Sequence, residues 1–298
     1  MKQLVVLSGK GGTGKTSVAA AFAHLVFMES NYRAVLADVD VDAANLELVL
    51  GPHTLETHDF IGGSTASIDQ DLCNCCVRCV EVCRFDAVVE LDGAYRIDSV
   101  ACDGCAACVY QCSVEAIQMQ EQRAGEWFRS ESRYGPLFHA ALRPGQDNSG
   151  KLVTLVKQHA RLLALDEDCD LVLVDGPPGI GCPVISAVSG ADLALIVAEP
   201  SRSGLHDMHR ALQTTDHFNV RSMVCINKAD LFLAGSEEIE EHCHENGIQF
   251  AGRIPFDPVV TKAMVEGQPV TAFQPESDAS QALRAIWASV QSAMEEKI

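Results

Sequence analysis

Gln3-Leu-Val-Val-Leu7-Ser-Gly9-Lys10-Gly-Gly-Thr-Gly-Lys15-Thr16 decides the fold of this chain. Its first five residues read as a buried strand, closed by Ser8-Gly9. The Ala-rich stretch from Lys15 to Glu29 reads as a helix. Between them, Gly9–Thr16 matches the phosphate-binding pattern G-x4-G-K-[ST]. Glycines let backbone N–H groups face phosphates without steric cost, and the helix N-terminus adds a favourable dipole. Lys15 is placed to reach the β- and γ-phosphates, and the Thr16 hydroxyl to bind Mg²⁺. A glycine-rich turn without a ligand is the bland alternative. The strand, loop and helix context argues against it.

Working outward, Ala34–Ala37 is a second short apolar strand ending at Asp38. Leu171–Val174, Leu193–Ala198 and Ser222–Ile226 are further continuous apolar runs, with helical stretches between most of them. This alternation predicts an α/β fold with a doubly wound, mostly parallel sheet. A region from Gly63 to Gln122 interrupts the pattern, and it carries ten Asp/Glu against three Arg. Gly-Pro, Pro-Gly and Asp-Asn-Ser-Gly turn signals lead back over residues 123–150 to a helix at Lys151–Ala164. The expected organisation is a main domain of 1–62 and 123–298 with an inserted small α+β domain at 63–122.

Eight of the thirteen cysteines lie in that insertion as two runs of C-x2-C-x2-C-x3-C, offset by 29 residues. They are Cys73, Cys76, Cys79 and Cys83, then Cys102, Cys105, Cys108 and Cys112. The spacing is that of bacterial iron–sulfur proteins with two [4Fe–4S] clusters. A pair of zinc sites uses the same thiolate chemistry, and the spacing favours clusters. Cys75 has no counterpart in the second run, where Gly104 stands, and reads as a bystander. Cys182 reads as a small buried hydrophobe, or as a thiol that senses nucleotide state or touches a cluster in transit. Cys169, Cys225 and Cys243 read as packing residues.

The composition, 47% apolar and 21% charged, is that of a globular protein. No apolar run is long enough for a spanning helix. The start passes directly into the phosphate loop, so no cleaved signal peptide is expected, and the cytoplasm is the expected location. A net charge of −19 disfavours nucleic acid and anionic membranes and favours basic protein partners. Ser277–Met294 places Leu283, Ile286, Trp287, Val290 and Met294 on one helical face with only Arg284 basic. It therefore reads as a packed helix and not a membrane anchor. His206 and His209 read as surface-helix residues.

Lys10-Gly-Gly-Thr-Gly-Lys15-Thr16 resembles the deviant Walker A motif of the MinD/ParA/Mrp superfamily of P-loop ATPases, to which the nitrogenase iron protein belongs. Asp38-Val-Asp40 with Asn45-Leu46 is similar to switch I, and Leu171–Gly179 to Walker B and switch II. Asn227-Lys228-Ala-Asp230 is similar to the base-recognition segment, and Arg253-Ile-Pro255 to the loop beside the base. The resemblance covers nearly all of 1–62 and 151–270. It implies ATP and Mg²⁺ bound by Gly9, Lys10, Gly11, Gly12, Thr13, Gly14, Lys15, Thr16 and Ser17. Lys10 would cross to the partner's nucleotide in an ATP-closed homodimer, and Asp40 would orient the attacking water. Asp38 and Asp175 would hold Mg²⁺, and Asn227 and Pro255 would meet adenine. Helix capping at a strand end is the other reading of Asp38 and Asp40, and a structural turn that of Asn227. Asn-Lys-x-Asp is also a guanine-reading pattern, so the base rests on the resemblance.

The insertion resembles bacterial two-cluster ferredoxins, in which the fourth cysteine of each run ligates the other cluster. One cluster would use Cys73, Cys76, Cys79 and Cys112, and the other Cys102, Cys105, Cys108 and Cys83. Arg84 and Ser113 replace the proline that usually follows each fourth cysteine. The whole reads as a dimerising ATPase that couples its nucleotide state to two [4Fe–4S] clusters and gates electron transfer to a redox or metallocluster partner. The alternatives are a cluster-assembly carrier and a MinD-like spatial organiser with structural or sensory clusters.

Overall fold

The computed structural model describes residues 1–29, 32–143 and 149–296. The Pro144-Gly145 turn signal, Asp147-Asn148 and Lys297 lie outside the described residues. β1 (Lys2–Ser8), α1 (Lys15–Glu29), β2 (Ala34–Asp38) and α2 (Leu46–Leu50) open the chain. β3 (His53–Ile68), α3 (Arg78–Val82), β4 (Val88–Leu91), β5 (Ala94–Ile97), α4 (Ala107–Gln111) and β6 (Ile117–Ser132) carry the cysteine segment. β7 (Gly135–Leu142), α5 (Ser149–Asp166), β8 (Leu171–Pro178), α6 (Cys182–Val188), β9 (Leu193–Ala198) and α7 (Arg202–His217) follow. The chain closes with β10 (Arg221–Asn227), α8 (Leu233–Glu245), β11 (Gln249–Ile254), α9 (Pro258–Val265), α10 (Val270–Phe273) and α11 (Asp278–Glu295).

The large sheet has the order β11-β10-β9-β1-β8-β2-β7-β6-β3. Every pairing from β11 through to β7 is parallel. β1, β8 and β9 are buried along nearly their whole length, as strands covered by helices on both faces must be. α1 is apolar around its whole circumference and sits under the sheet against α10 and α11. There Phe22 meets Trp287 with ring centroids 5.0 Å apart. α11 buries Leu283, Ile286, Trp287, Val290 and Met294, the face its sequence periodicity marks.

Contacts divide the chain into two units. One comprises Met1–His58, Trp127–Ala141 and the chain from Ser149 onward; the other is built on Asp59–Glu126. The chain passes between them inside β3 and β6, several residues outside the 63–122 expected from composition.

The second unit folds as a repeat of itself. Left-handed φ angles recur at the 29-residue offset: Cys75 (54°) and Gly104 (71°), Val77 (68°) and Ala106 (60°), Asp86 (51°) and Glu115 (54°). Asp69 N donates to Ala116 O and Asp98 N to Ala87 O, both at 2.7 Å. Cys83 Sγ accepts from Ala87 N at 3.4 Å and Cys112 Sγ from Ala116 N at 3.3 Å. The sequence repeat is thus a repeat of backbone conformation and hydrogen bonding.

Candidate nucleotide and thiolate sites

A cavity of about 550 Å³ opens beside the loop between β1 and α1. Its walls include Gly11, Gly12, Gly14, Lys15, Thr16 and Ser17, with Asp40 on one side and Asn227 and Pro255 on another. The size suits a nucleotide. Gly14 has φ +95°, and a Cβ there would stand 2.3 Å from Asn227 Nδ2. Only glycine fits that backbone and that approach. Asn227 donates from Nδ2 to Thr13 O at 2.7 Å and accepts at Oδ1 from Lys228 N at 3.0 Å. Its amide braces the phosphate loop.

Gly9, Lys10, Thr13, Asp38 and Asp175 are not among the residues that line the cavity. Asp38 is fully buried, and its carboxylate accepts from Asp40 N, Asn45 N and Leu46 N at 3.0–3.1 Å. It therefore caps α2 and ties down the segment after β2, the capping role open to a strand-end aspartate. Asp175, its register partner on β8, is also fully buried, and neither oxygen has a hydrogen-bond partner. Burial holds its carboxyl well above the usual carboxylate range, and Thr16 and Lys15 nearby only partly offset this. An orphaned carboxylate beside a phosphate-loop hydroxyl fits a divalent cation held between them, directly or through water. Burial also raises the Asp40 carboxyl; Lys15 opposes the shift and Asp42 adds to it.

Sequence reading missed Glu199. It binds Lys10 Nζ at 3.0 Å and Lys228 Nζ at 2.6 Å, and Lys228 also reaches Gly12 O at 3.3 Å. Burial alone would raise the Glu199 carboxyl, but hydrogen bonds from Lys228 and Lys10 hold it below its ordinary value. Phe256, Val260 and Met264 line the cavity beyond Pro255. No motif marks them, because apolar side chains on a cavity wall leave no fixed sequence pattern.

In the second unit, Cys73, Cys76, Cys79 and Cys112 surround one small cavity, and Cys83, Cys102, Cys105 and Cys108 another. Three thiols of each set come from one run and the fourth from the other. The twelve residues lining one cavity correspond one to one, at the 29-residue offset, with the twelve lining the other. Among the described residues, no three His, Cys, Asp or Glu side chains are gathered tightly enough for a single metal ion. Cys75 is exposed and outside both linings; its Sγ approaches Gly93 O at 4.0 Å. Cys182 is exposed at the start of α6, whereas Cys169, Cys225 and Cys243 are buried.

A parallel α/β sheet with a phosphate loop, a buried loop lysine and an orphaned carboxylate behind the loop threonine defines a P-loop ATPase. The chain belongs to the CobQ/CobB/MinD/ParA nucleotide binding domain family, whose description matches residues 4–270. An uncharacterized protein of Methanocaldococcus jannaschii is 35% identical over 76% of this chain and 78% of its own length. The septum site-determining protein MinD of Bacillus subtilis is 24% identical, covering 95% of this chain and 86% of that protein. The cytosolic Fe-S cluster assembly factor NBP35 of Eremothecium gossypii is 22% identical, covering 94% and 72%. The solved MinD of Pyrococcus horikoshii with Mg-ADP superposes with a TM-score of 0.59 at 19% identity, over 100% of this chain and 99% of that one.

Proposed function

We propose that this ATPase couples its nucleotide state to two [4Fe–4S] clusters in the Asp59–Glu126 unit and gates electron transfer to a partner protein. The observation that supports the clusters is the pairing of four thiols around each of two matching cavities. Backbone N–H groups point inward there, as the bonds to Cys83 and Cys112 sulfur show; such donors stabilise a reduced, more negative cluster. The clusters supply one-electron chemistry, and the chain supplies thiolates, hydrogen bonds and partial exclusion of water.

At the nucleotide site, Lys15 and the loop N–H groups hold phosphate, and Thr16 with Asp175 holds Mg²⁺. Asp40 lines the cavity and orients the attacking water. Lys10 leaves Glu199 to reach the nucleotide of a second copy in an ATP-closed dimer. The location is cytoplasmic, where thiols stay reduced; among the described residues no helix is long and apolar enough to cross a membrane. Anaerobic purification is expected to yield about eight irons and about eight acid-labile sulfides per chain. Stoichiometric zinc without cluster absorbance sinks the redox reading.

A second reading, a carrier that delivers clusters, draws on the similarity to a protein named as an Fe-S assembly factor. Transfer of iron and sulfide to an apo-protein, with loss from this chain, would favour it; retention through repeated redox cycles favours electron transfer.

A further inference from the structure

The two thiolate cavities are matched residue for residue, so their differences stand out. Each has a single charged residue in its lining, and the charges are opposite. Arg78 lines the first cavity, that of Cys73, Cys76, Cys79 and Cys112; its counterpart in the second is Ala107. Asp103 lines the second, and its counterpart in the first is Asn74.

The loops differ in cover in the same sense, although the thiols do not: Cys76 and Cys105 are both exposed, and Cys79 is buried where its counterpart Cys108 is half-buried. In the first loop the run from Asn74 to Arg78 is exposed throughout. In the second, Gly104 lies so close to β3 that a Cβ on it would stand 2.2 Å from Ser64 O. That loop is pressed on the strand backbone, and Gly104, Ala106 and Ala107 are each partly covered.

We infer that the two sites are built to be electrically unequal, with the Cys73/Cys76/Cys79/Cys112 site accepting the first electron. This rests on the cluster reading above. An external one-electron donor takes [4Fe–4S]²⁺ to [4Fe–4S]⁺, which adds one negative charge inside the cavity. A neighbouring guanidinium and access to water stabilise that charge, whereas a neighbouring carboxylate and a protein cover oppose it. Arg78 and the exposed loop favour the first site; Asp103 and the β3 cover disfavour the second. Glu90, which lies near Cys75, and Arg84, next to Cys83, carry the opposite signs to this pattern. All four charges are exposed; Glu90 and Arg84 differ from Arg78 and Asp103 in standing outside the linings, which weakens their hold on the cavities.

The test is an anaerobic dithionite titration of the reconstituted full chain, followed by electron paramagnetic resonance. Cys105→Ala, which keeps the first site, is expected to reduce at the higher potential and Cys76→Ala at the lower. The expected gap is at least the tenfold preference that about 59 mV represents for one electron. Chains with all eight thiols give the same answer without touching a ligand. Arg78→Ala lowers only the higher potential, Asp103→Asn raises only the lower, and Glu90→Gln and Arg84→Ala shift either by less. Equal potentials, a reversed order, or Arg78 and Asp103 variants that titrate like wild type overturn the inequality while leaving the clusters in place. Failure of wild type to take up iron and sulfide overturns the cluster reading and this inference with it.

Discussion

Lys10 and Lys15 lie in one loop, yet the structure gives them different employment. Lys15 is almost fully buried against the cavity. Lys10 is about one-third exposed and tied to Glu199. Lys15→Ala is expected to weaken nucleotide binding at least about tenfold, roughly 1.4 kcal/mol, by isothermal titration. Lys10→Ala is expected to keep binding and to lose ATP-dependent dimerisation and hydrolysis. Wild-type hydrolysis by Lys10→Ala would refute a role in trans. Asp175→Asn removes the buried charge that fits a cation while keeping the side-chain shape. It is expected to abolish the dependence of ATP affinity on Mg²⁺ and to leave metal-free binding within about twofold. The Glu199 cluster was illegible in the sequence because its members stand 189 and 29 residues apart. No local pattern announces a carboxylate shared by two lysines. The roles of Asp38 and Asn227 were half legible. Their positions follow from strand ends, but which backbone groups they bind depends on the tertiary approach of α2 and the phosphate loop.

At the scale of elements, β1, β2, β8, β9 and β10 were legible because strands buried on both faces read as unbroken apolar runs. β3 and β6 were not. Each is 16 residues long, and the first seven residues of β3 are all exposed, so neither shows an apolar run nor a sustained alternation. The C-terminus of α6 meets a contact the sequence hid. Lys157 of α5 donates to the carbonyls of Ser186, Ala187 and Ser189 at 2.5–2.9 Å. One buried ammonium thus satisfies the orphan acceptors at the C-terminus of α6. Lys157→Met keeps the stem and strands those carbonyls, at a cost of about 1–3 kcal/mol, read as a lower urea midpoint. The pH dependence has a definite sign. Burial, with Arg161 nearby, pushes the Lys157 pKa down to about 8 from 10.5. Between those values the unfolded chain binds the proton and the native chain does not, so wild-type stability rises with pH there. Lys157→Met should lack that rise, so the stability gap widens between about pH 8 and 10.5. A gap constant over that range would show that the native ammonium stays charged.

At the scale of the whole molecule, the chain order carries the functional argument. The segment Asp38–Leu46, which resembles switch I, precedes the cysteine unit, and Asp175–Gly179, within the stretch that resembles Walker B and switch II, follows it. β2 and β8, which end at Asp38 and carry Asp175, are hydrogen-bonded neighbours behind the phosphate loop. We expect a γ-phosphate and its cation to bear on both segments, between which the insertion lies in the chain. Segments of this kind are ordered by γ-phosphate contacts and released on hydrolysis. If that ordering reaches the thiolate sites, the effect must be reciprocal in free energy. ATP with Mg²⁺ is then expected to shift at least one cluster potential, and reduction to change ATP affinity by the matching factor. A coupling of about 1–3 kcal/mol corresponds to about 40–130 mV for a one-electron couple. The measurement is the same anaerobic titration in three parallel samples, with ADP, with a non-hydrolysable ATP analogue and without nucleotide. Chelator access to iron is followed alongside. Superimposable potentials and equal chelation rates in all three would make the clusters independent of the ATPase. That result would favour an organiser with structural clusters over a gate.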